Sequence, residues 1–211
     1  MVTEAGRRLQ LVHHGGFAHL YNHRMGNRES LIAGAKQCLH DIGYTRTTAR
    51  DIATAAGVSL AAIGYHFGST RELLNQALME ALAEWGAELD SSLRATDGSA
   101  EAVWTAVIAS VRDQRPLWTT QFELAGQVDR LPEIHDFLVA GQRQGRTELA
   151  GLLGGGDPGE GGPTDGEEAR LLGGLAQALL AGLAIQWLID PDGALTAQDL
   201  TAALKLAAER A

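Results

Sequence analysis

Most of the recognisable chemistry in this chain falls in one short stretch. Ser59–Phe67, SLAAIGYHF, places Ala61, Ala62 and Gly64 on one short helix and closes it with Tyr65, His66 and Phe67. A phenol and an imidazole at a helix end can reach phosphate oxygens. Small side chains let a helix lie close against base edges and thymine methyls. Phe67 can anchor the helix end in a core. Taken alone, Tyr-His-Phe could equally be core aromatics closing a helix, so the surrounding pattern has to decide.

The elements that would position this stretch are marked by caps and glycines. Leu31, Ile32, Ala35, Cys38, Leu39 and Ile42 recur at helical spacing from about Arg28, and Gly43 is placed to stop that helix. Thr47 or Thr48 caps a second short helix, ARDIATAA, with Ile52 and Ala53 inward and Asp51 in the capping-box position. Gly57 ends it. Ser59 is expected to cap a third helix running to about His66, which Gly68 ends. Ser69 then caps a long fourth helix with Leu73, Leu74, Ala77, Leu78, Ala81, Leu82 and Trp85 on its inner side. In the link AAGVS, Ala56 and Gly57 let two backbones approach and Val58 fills the space between them. This is helix-turn-helix geometry, in which the second helix enters the major groove while the first crosses the backbone.

Bulk properties fit such a protein. The chain has 211 residues, 45% of them hydrophobic and only 5% aromatic, with no strand alternation and no internal repeat, which predicts an all-α fold. The net charge of -9 is unevenly spread: residues 1–75 hold eight Lys/Arg and five Asp/Glu, whereas the remainder holds nine and twenty-one. One mildly basic end on an acidic body suggests that only that end meets a polyanion. Cys38 is the single cysteine, so no intrachain disulfide can form, as suits a reducing cytoplasm. No Ser-His-Asp, HExxH or CxxC arrangement is present, so an enzyme is not expected, nor is a cofactor.

The ordered run TTARDIATAAGVSLAAIGYHFGSTREL resembles the DNA-binding signature of the TetR family of bacterial transcriptional repressors, over about Arg28 to Leu78. The resemblance implies an N-terminal three-helix DNA-binding domain, residues 26–72, followed by a larger helical effector-binding and dimerisation domain, residues 73–211. It implies that Thr48 and Ser59 are caps that also touch phosphate, and that Arg50 reads a guanine edge or holds a phosphate. Leu60, Ala61 and Ala62 would face the groove, Tyr65 and His66 would contact the backbone, and Ile63 and Phe67 would anchor the core. Two positions depart from the family pattern. Gly64 stands where many members carry an aromatic, and Thr70 where many carry a lysine that meets a phosphate; Arg71, next door, could take over. These losses favour an alternative reading, a ligand-binding helical protein whose helix-turn-helix is weakened or vestigial.

Beyond the signature, helices are expected over Ala100–Gln114, from Pro116 to about Asp129, from Pro132 to about Leu153, over Glu167–Ile189, and from a Thr196 cap to near Ala211. The resemblance implies that the middle helices enclose a small-molecule cavity. Trp104, Trp118, Phe122 and Phe137 would line it, with Gln121 or Glu123 as polar groups, for a mostly apolar effector. The last two helices would pair with a second copy through Leu172, Leu175, Leu179, Gly182, Leu183 and Leu204, giving a homodimer that reads a palindromic double-stranded operator.

Some features have other readings. Leu171–Ile189 is 19 residues without a charge, just long enough to cross a membrane. Gln177 and Gln186 interrupt it and no Lys/Arg cluster flanks it, so it reads as a helix buried in a bundle or interface. Residues 1–25 show no helical period and form an extension, read as a disordered tail or as an arm touching the minor groove; alternatively, Met25 is the true start. His19 and His23 could share a helix face and bind a metal, but no Cys or acidic ligand lies nearby, so no metal is expected. The Gly154–Gly166 run is a linker without the Gly-Lys-Ser/Thr ending of a phosphate cradle.

Overall fold

The computed structural model describes residues 26–129, 134–153 and 166–210; the N-terminal extension, with its histidines, and nearly all of the Gly-rich run lie outside them. The described residues form nine helices and no strand: α1 Asn27–Asp41, α2 Ala49–Ala56, α3 Ala61–Phe67, α4 Thr70–Arg94, α5 Ala100–Asp113, α6 Arg115–Ala125, α7 His135–Leu153, α8 Gly166–Ile189 and α9 Ala197–Ala208.

The ends of the first helices follow from local chemistry. The amides of Ile42 and Gly43 both donate to the Cys38 carbonyl, at 2.8 and 3.2 Å, and Gly43 turns the chain out of α1 at φ +88, a value that side-chain-bearing residues rarely adopt. Of the two threonines, Thr48 is the cap. Its Oγ1 accepts from the Asp51 amide at 3.3 Å while the Asp51 carboxylate accepts from the Thr48 amide at 2.9 Å, a closed capping box. Bonds from the Thr48 hydroxyl and amide hold the Asp51 carboxyl below the ordinary carboxylate range. Thr47 is buried instead, donating its hydroxyl to the Gly43 carbonyl at 2.6 Å and so tying the α1–α2 loop together. Ser69 caps α4 by accepting from the Glu72 amide, and Thr196 with Asp199 forms a second capping box at α9.

Two boundaries differ from expectation, and a third lies outside the described residues. Ser59 does not cap α3 through its side chain; its carbonyl accepts from the Ala62 amide at 3.0 Å, and the helix proper starts at Ala61 with no side-chain cap. The sixth helix ends at Ala125 rather than about Asp129, because Gly126 and a turn follow it. Pro132 lies outside the described residues, and α7 begins at His135.

Two cores hold the helices together. The first joins α1–α4 through Leu31, Ile52, Ile63, Phe67 and Leu73, and takes in Leu117 and Leu124 from α6. The second joins the far end of α4 to α5, α6, α8 and α9 through Leu89, Trp104, Val107, Trp118, Leu183 and Leu200. Trp85 packs against both; its Nε1 donates to Ser110 Oγ at 2.6 Å, and its ring meets that of Trp118 edge-on at 5.3 Å. Lys36 braces α1 against α4, its ammonium 2.5 Å from Glu84 and 3.7 Å from Glu80. Where α7 meets α8, a Cβ placed on Gly173 would lie only 2.0 Å from the Arg146 carbonyl oxygen, so this crossing needs glycine.

Among the described residues, α8 is the one helix long and apolar enough to cross a membrane. It has two faces. Ala169, Gly173, Ala176, Leu180, Leu183 and Ala184 are buried in the subunit, whereas Leu171, Leu175, Ile185 and Ile189 are exposed.

Candidate nucleic-acid interface and ligand cavity

Helix α3 divides cleanly around its axis. Ala62, Ile63 and Phe67 are buried in the first core, while Ala61, Gly64 and Tyr65 face outward. Leu60, just before the helix, is 54% exposed and Tyr65 86%, which is unusual for residues of that size unless something covers them. His66 is half-buried, edge-on to Tyr65 at 4.8 Å. The expectation that Ala62 faces the groove is corrected: at 8% exposure it packs inward, since it neighbours Ile63 on the inner side of the helix. At Gly64 an added Cβ would meet nothing within 4 Å, so the missing ring leaves open space and not a packing defect.

The other residues singled out in the sequence lie on the elements next to α3 in the chain. Thr48, Arg50 and Ser59 are exposed, Thr70 opens α4 half-buried, and Arg71 is exposed beside it. The Thr48 hydroxyl donates to Asp51 at 2.6 Å, so its proton is committed to the cap. The sequence reading missed Arg28. Its guanidinium sits over the Phe67 ring, 5.3 Å from the centroid, and brings a cation from α1 to the end of α3. No local pattern signals that contact, because it depends on how α1 crosses α3.

A second feature lies deeper. A cavity of about 380 Å³ opens between α4, α6, α7 and α8. Trp118, Gln121, Phe122 and Phe137 line it as expected, joined by Met79, Leu82, Trp85, Val128, Gln142, Gln177 and Leu180. Among the described residues, Glu148 is the single charged one around it, and none of them that borders it is a lysine or arginine. Two expected lining residues are elsewhere. Trp104, 3% exposed, fills the second core behind the cavity. Glu123 turns the other way, toward the α1–α2 loop, where its carboxylate accepts from both the amide and the hydroxyl of Thr45.

The dimer candidates also separate. Leu175 is 48% exposed, and Leu172, Leu179, Gly182 and Leu204 are half-buried. Leu183 is 2% exposed within its own subunit, in the second core, so it is not available to a partner. Leu171, Ile185 and Ile189 of α8 and Leu206 of α9 are exposed as well; an unbroken apolar run such as Leu171–Ile189 gives no clue to which side faces outward.

Two buried titratable side chains, Cys38 and Tyr44, are structural. Burial raises the pKa of the Cys38 thiol, which keeps it protonated and unreactive. Burial pushes Tyr44 up to about 12; its hydroxyl donates to Asn75 Oδ1 at 2.6 Å and ties the α1–α2 loop to α4. Among the described residues no group of three His, Cys, Asp or Glu side chains is placed to hold a metal.

Comparison with known proteins places this arrangement. The pattern described as "Bacterial regulatory proteins, tetR family" matches residues 31–77, and that described as "BetI-type transcriptional repressor, C-terminal" matches residues 97–211. No curated protein matches the chain. Among solved structures, one described as a transcriptional regulator from Streptomyces coelicolor A3(2) is 26% identical, with a TM-score of 0.60 over 83% of this chain and 95% of that one. A TetR-family regulator from Rhodococcus sp. superposes with a TM-score of 0.63 at 19% identity, over 87% and 96% of the two chains. A regulator from Saccharomonospora viridis, solved in complex with choline, gives 0.57 at 21% identity, over 84% and 93%. With a three-helix head built around a helix-turn-helix and a larger helical body behind it, the chain belongs to the TetR family of bacterial regulatory proteins.

Proposed function

We propose that the protein is a cytoplasmic, dimeric repressor that binds a palindromic operator and is released by a small, mostly apolar effector, acting by binding and not by catalysis. The head of residues 26–72 reads DNA, and residues 73–211 sense the effector and dimerise. The observation that carries this reading is the outward face of α3, where Leu60, Ala61, Gly64 and Tyr65 stand uncovered beside the exposed Arg50 and Arg71. Tyr65 and His66 hold phosphates. Leu60 and Ala61 lie against base edges, and Arg50 reads a base or grips the backbone. Ala62 supports that face from behind.

The exposed apolar residues of α8, with Leu206 of α9, are the dimer surface; the same patch on two copies gives a two-fold interface. Two reading helices about 34–36 Å apart then meet successive major grooves. The cavity, ringed by Trp85, Trp118, Phe122 and Phe137 and without a basic residue among the described ones, accepts an aromatic or aliphatic body. Release requires that the effector bind the DNA-free form more tightly than the DNA-bound form.

Selecting bound fragments from the source genome and titrating the best one by anisotropy at several salt concentrations tests the reading. A palindrome bound tightly by a dimer supports it. Weak, sequence-indifferent binding that disappears with modest salt would mean that Gly64 and Thr70 have cost α3 its reading function, and would favour the vestigial alternative.

A further inference from the structure

Helix α6 touches both the cavity and the reading head, and it does so within one turn. Gln121 and Phe122 line the cavity. Glu123, the next residue, reaches across 78 positions of sequence to Thr45: its Oε1 accepts from the Thr45 amide at 3.2 Å and from the Thr45 hydroxyl. Leu124, fully buried, both borders the cavity and packs in the core of the head.

The seat of this carboxylate is built for it. A Cβ on Gly43 would stand 3.0 Å from Glu123 Oε2, so Gly43 provides clearance as well as its positive φ. The Arg46 guanidinium would lie 3.9 Å from that same added Cβ, on the border of the space that Gly43 leaves open. The loop so gripped is short and stiff. Thr47 is tied to the Gly43 carbonyl, Tyr44 to Asn75, and Thr48 starts α2, which carries Arg50. A shift of Thr45 therefore moves the start of the helix that crosses the DNA backbone.

We propose that Glu123 is a positioning residue for DNA binding: its bond to Thr45 is the link through which a molecule in the cavity changes the hold of the head on the operator. A body wedged against Phe122 turns α6, draws the adjacent carboxylate off Thr45 and frees the α1–α2 loop. The ligand half of this proposal rests on the cavity being the effector site.

The test uses the full-length dimer, the selected operator duplex and N-phenyl-1-naphthylamine, a neutral aromatic dye whose fluorescence rises in apolar cavities. By reciprocity, the operator must weaken the dye by the same factor by which the dye weakens the operator, about fivefold or more for an ordinary allosteric coupling. In Glu123→Ala that ratio should fall to within about twofold of one, and dye affinity without DNA should be no weaker than in wild type, because no bond to Thr45 remains for the dye to break. Glu123→Gln, whose amide oxygen still accepts from Thr45, should keep most of the coupling. Thr45→Ala, at an exposed position, repeats the test if Glu123→Ala folds poorly. Coupling that survives both Glu123→Ala and Thr45→Ala would overturn the proposal and leave Glu123 as structural glue. A dye that fails to bind, or that binds wild type without affecting DNA, would overturn the effector reading of the cavity beneath it.

Discussion

Among the described glycines, Gly173 at the α7–α8 crossing leaves the least room for a Cβ, and this allows a sharp prediction. In Gly173→Ala the new methyl would stand 2.0 Å from the Arg146 carbonyl oxygen and about 3 Å from two further Arg146 atoms. An ordinary C···O contact is about 3.3 Å, so α7 and α8 must part by about 1 Å or more. The obstacle is backbone, which cannot swing away as a side chain would. The cost should therefore lie at the upper end of the overpacking range, about 3 kcal/mol. For a chain of this length that lowers the melting temperature by about 6–12 °C. Gly86→Ala is the matched control. Gly86 lies inside α4 with nothing within 4 Å of an added Cβ, so the methyl gains helix propensity and collides with nothing. It should raise the melting temperature by about 2–4 °C, from up to about 1 kcal/mol. Melting of both variants by circular dichroism, at one protein concentration, decides the matter. If Gly173→Ala melted within a degree of wild type, the close crossing of α7 and α8 would be wrong, and with it the shape of the cavity they line.

Other perturbations separate the roles assigned above. Tyr65→Phe removes only a hydroxyl from an exposed ring; if that hydroxyl holds a phosphate, anisotropy should show a loss of about tenfold on every operator variant, whereas Arg50→Ala should relax preference at one base pair if it reads a base. Leu175→Glu, at an exposed position of α8, should turn the dimer into folded monomers in sedimentation equilibrium, whereas Leu183→Ala, inside the second core, should cost about 2–5 kcal/mol of subunit stability. The capping boxes give a pH signature. Asp51 and Asp199 have carboxyl pKa values held below the ordinary range by bonds from Thr48 and Thr196. Their contribution is present above the unfolded value of about 4 and is lost as pH falls through the lower folded value. The melting temperature should therefore drop on acidification below about pH 4, and Asp51→Asn with Asp199→Asn should flatten that slope.

The parts of this molecule that could be read in the sequence are those set by neighbouring residues. Gly43, Thr48, Gly57, Gly68 and Ser69 mark helix ends by local hydrogen bonding or backbone conformation, and each does so in the structure. Ser59 failed as a cap because a good capping residue still needs the helix to begin immediately after it, and here Leu60 intervenes in a turn. The cavity was legible only in part. Trp118, Phe122 and Phe137 are recognisable as apolar positions of amphipathic helices, but which apolar positions border a space and which fill a core is decided by helix pairing. Trp104 and Trp85 show the difficulty. Both are tryptophans on inner helix faces, yet Trp104 is core and Trp85 lines the cavity. Glu123 was misread for a related reason, since its partner Thr45 lies 78 residues away.

Helix α8 shows how one sequence signal can carry two structural demands. Over its length the helix is apolar with almost no polar side, which in isolation suits a membrane span as well as a bundle core. Its buried residues, Ala169, Gly173, Ala176, Leu180 and Leu183, advance by three or four and include the small residues that let α7 approach. The opposite residues, Leu171, Leu175, Ala178, Gly182, Ile185 and Ile189, advance by four, three, four, three and four, which is the spacing of a helix–helix seam. A lone helix surrounded by lipid makes no such distinction, since every side would face equivalent hydrocarbon and no neighbour would require small residues. Two stripes of different character instead fit two protein neighbours, the subunit's own α7 on one side and a second copy on the other. The even hydropathy of the segment is then the sum of an intramolecular face and an intermolecular one. An acidic residue placed on the outer stripe should abolish pairing and leave the subunit folded, an outcome that a membrane-spanning helix would not give.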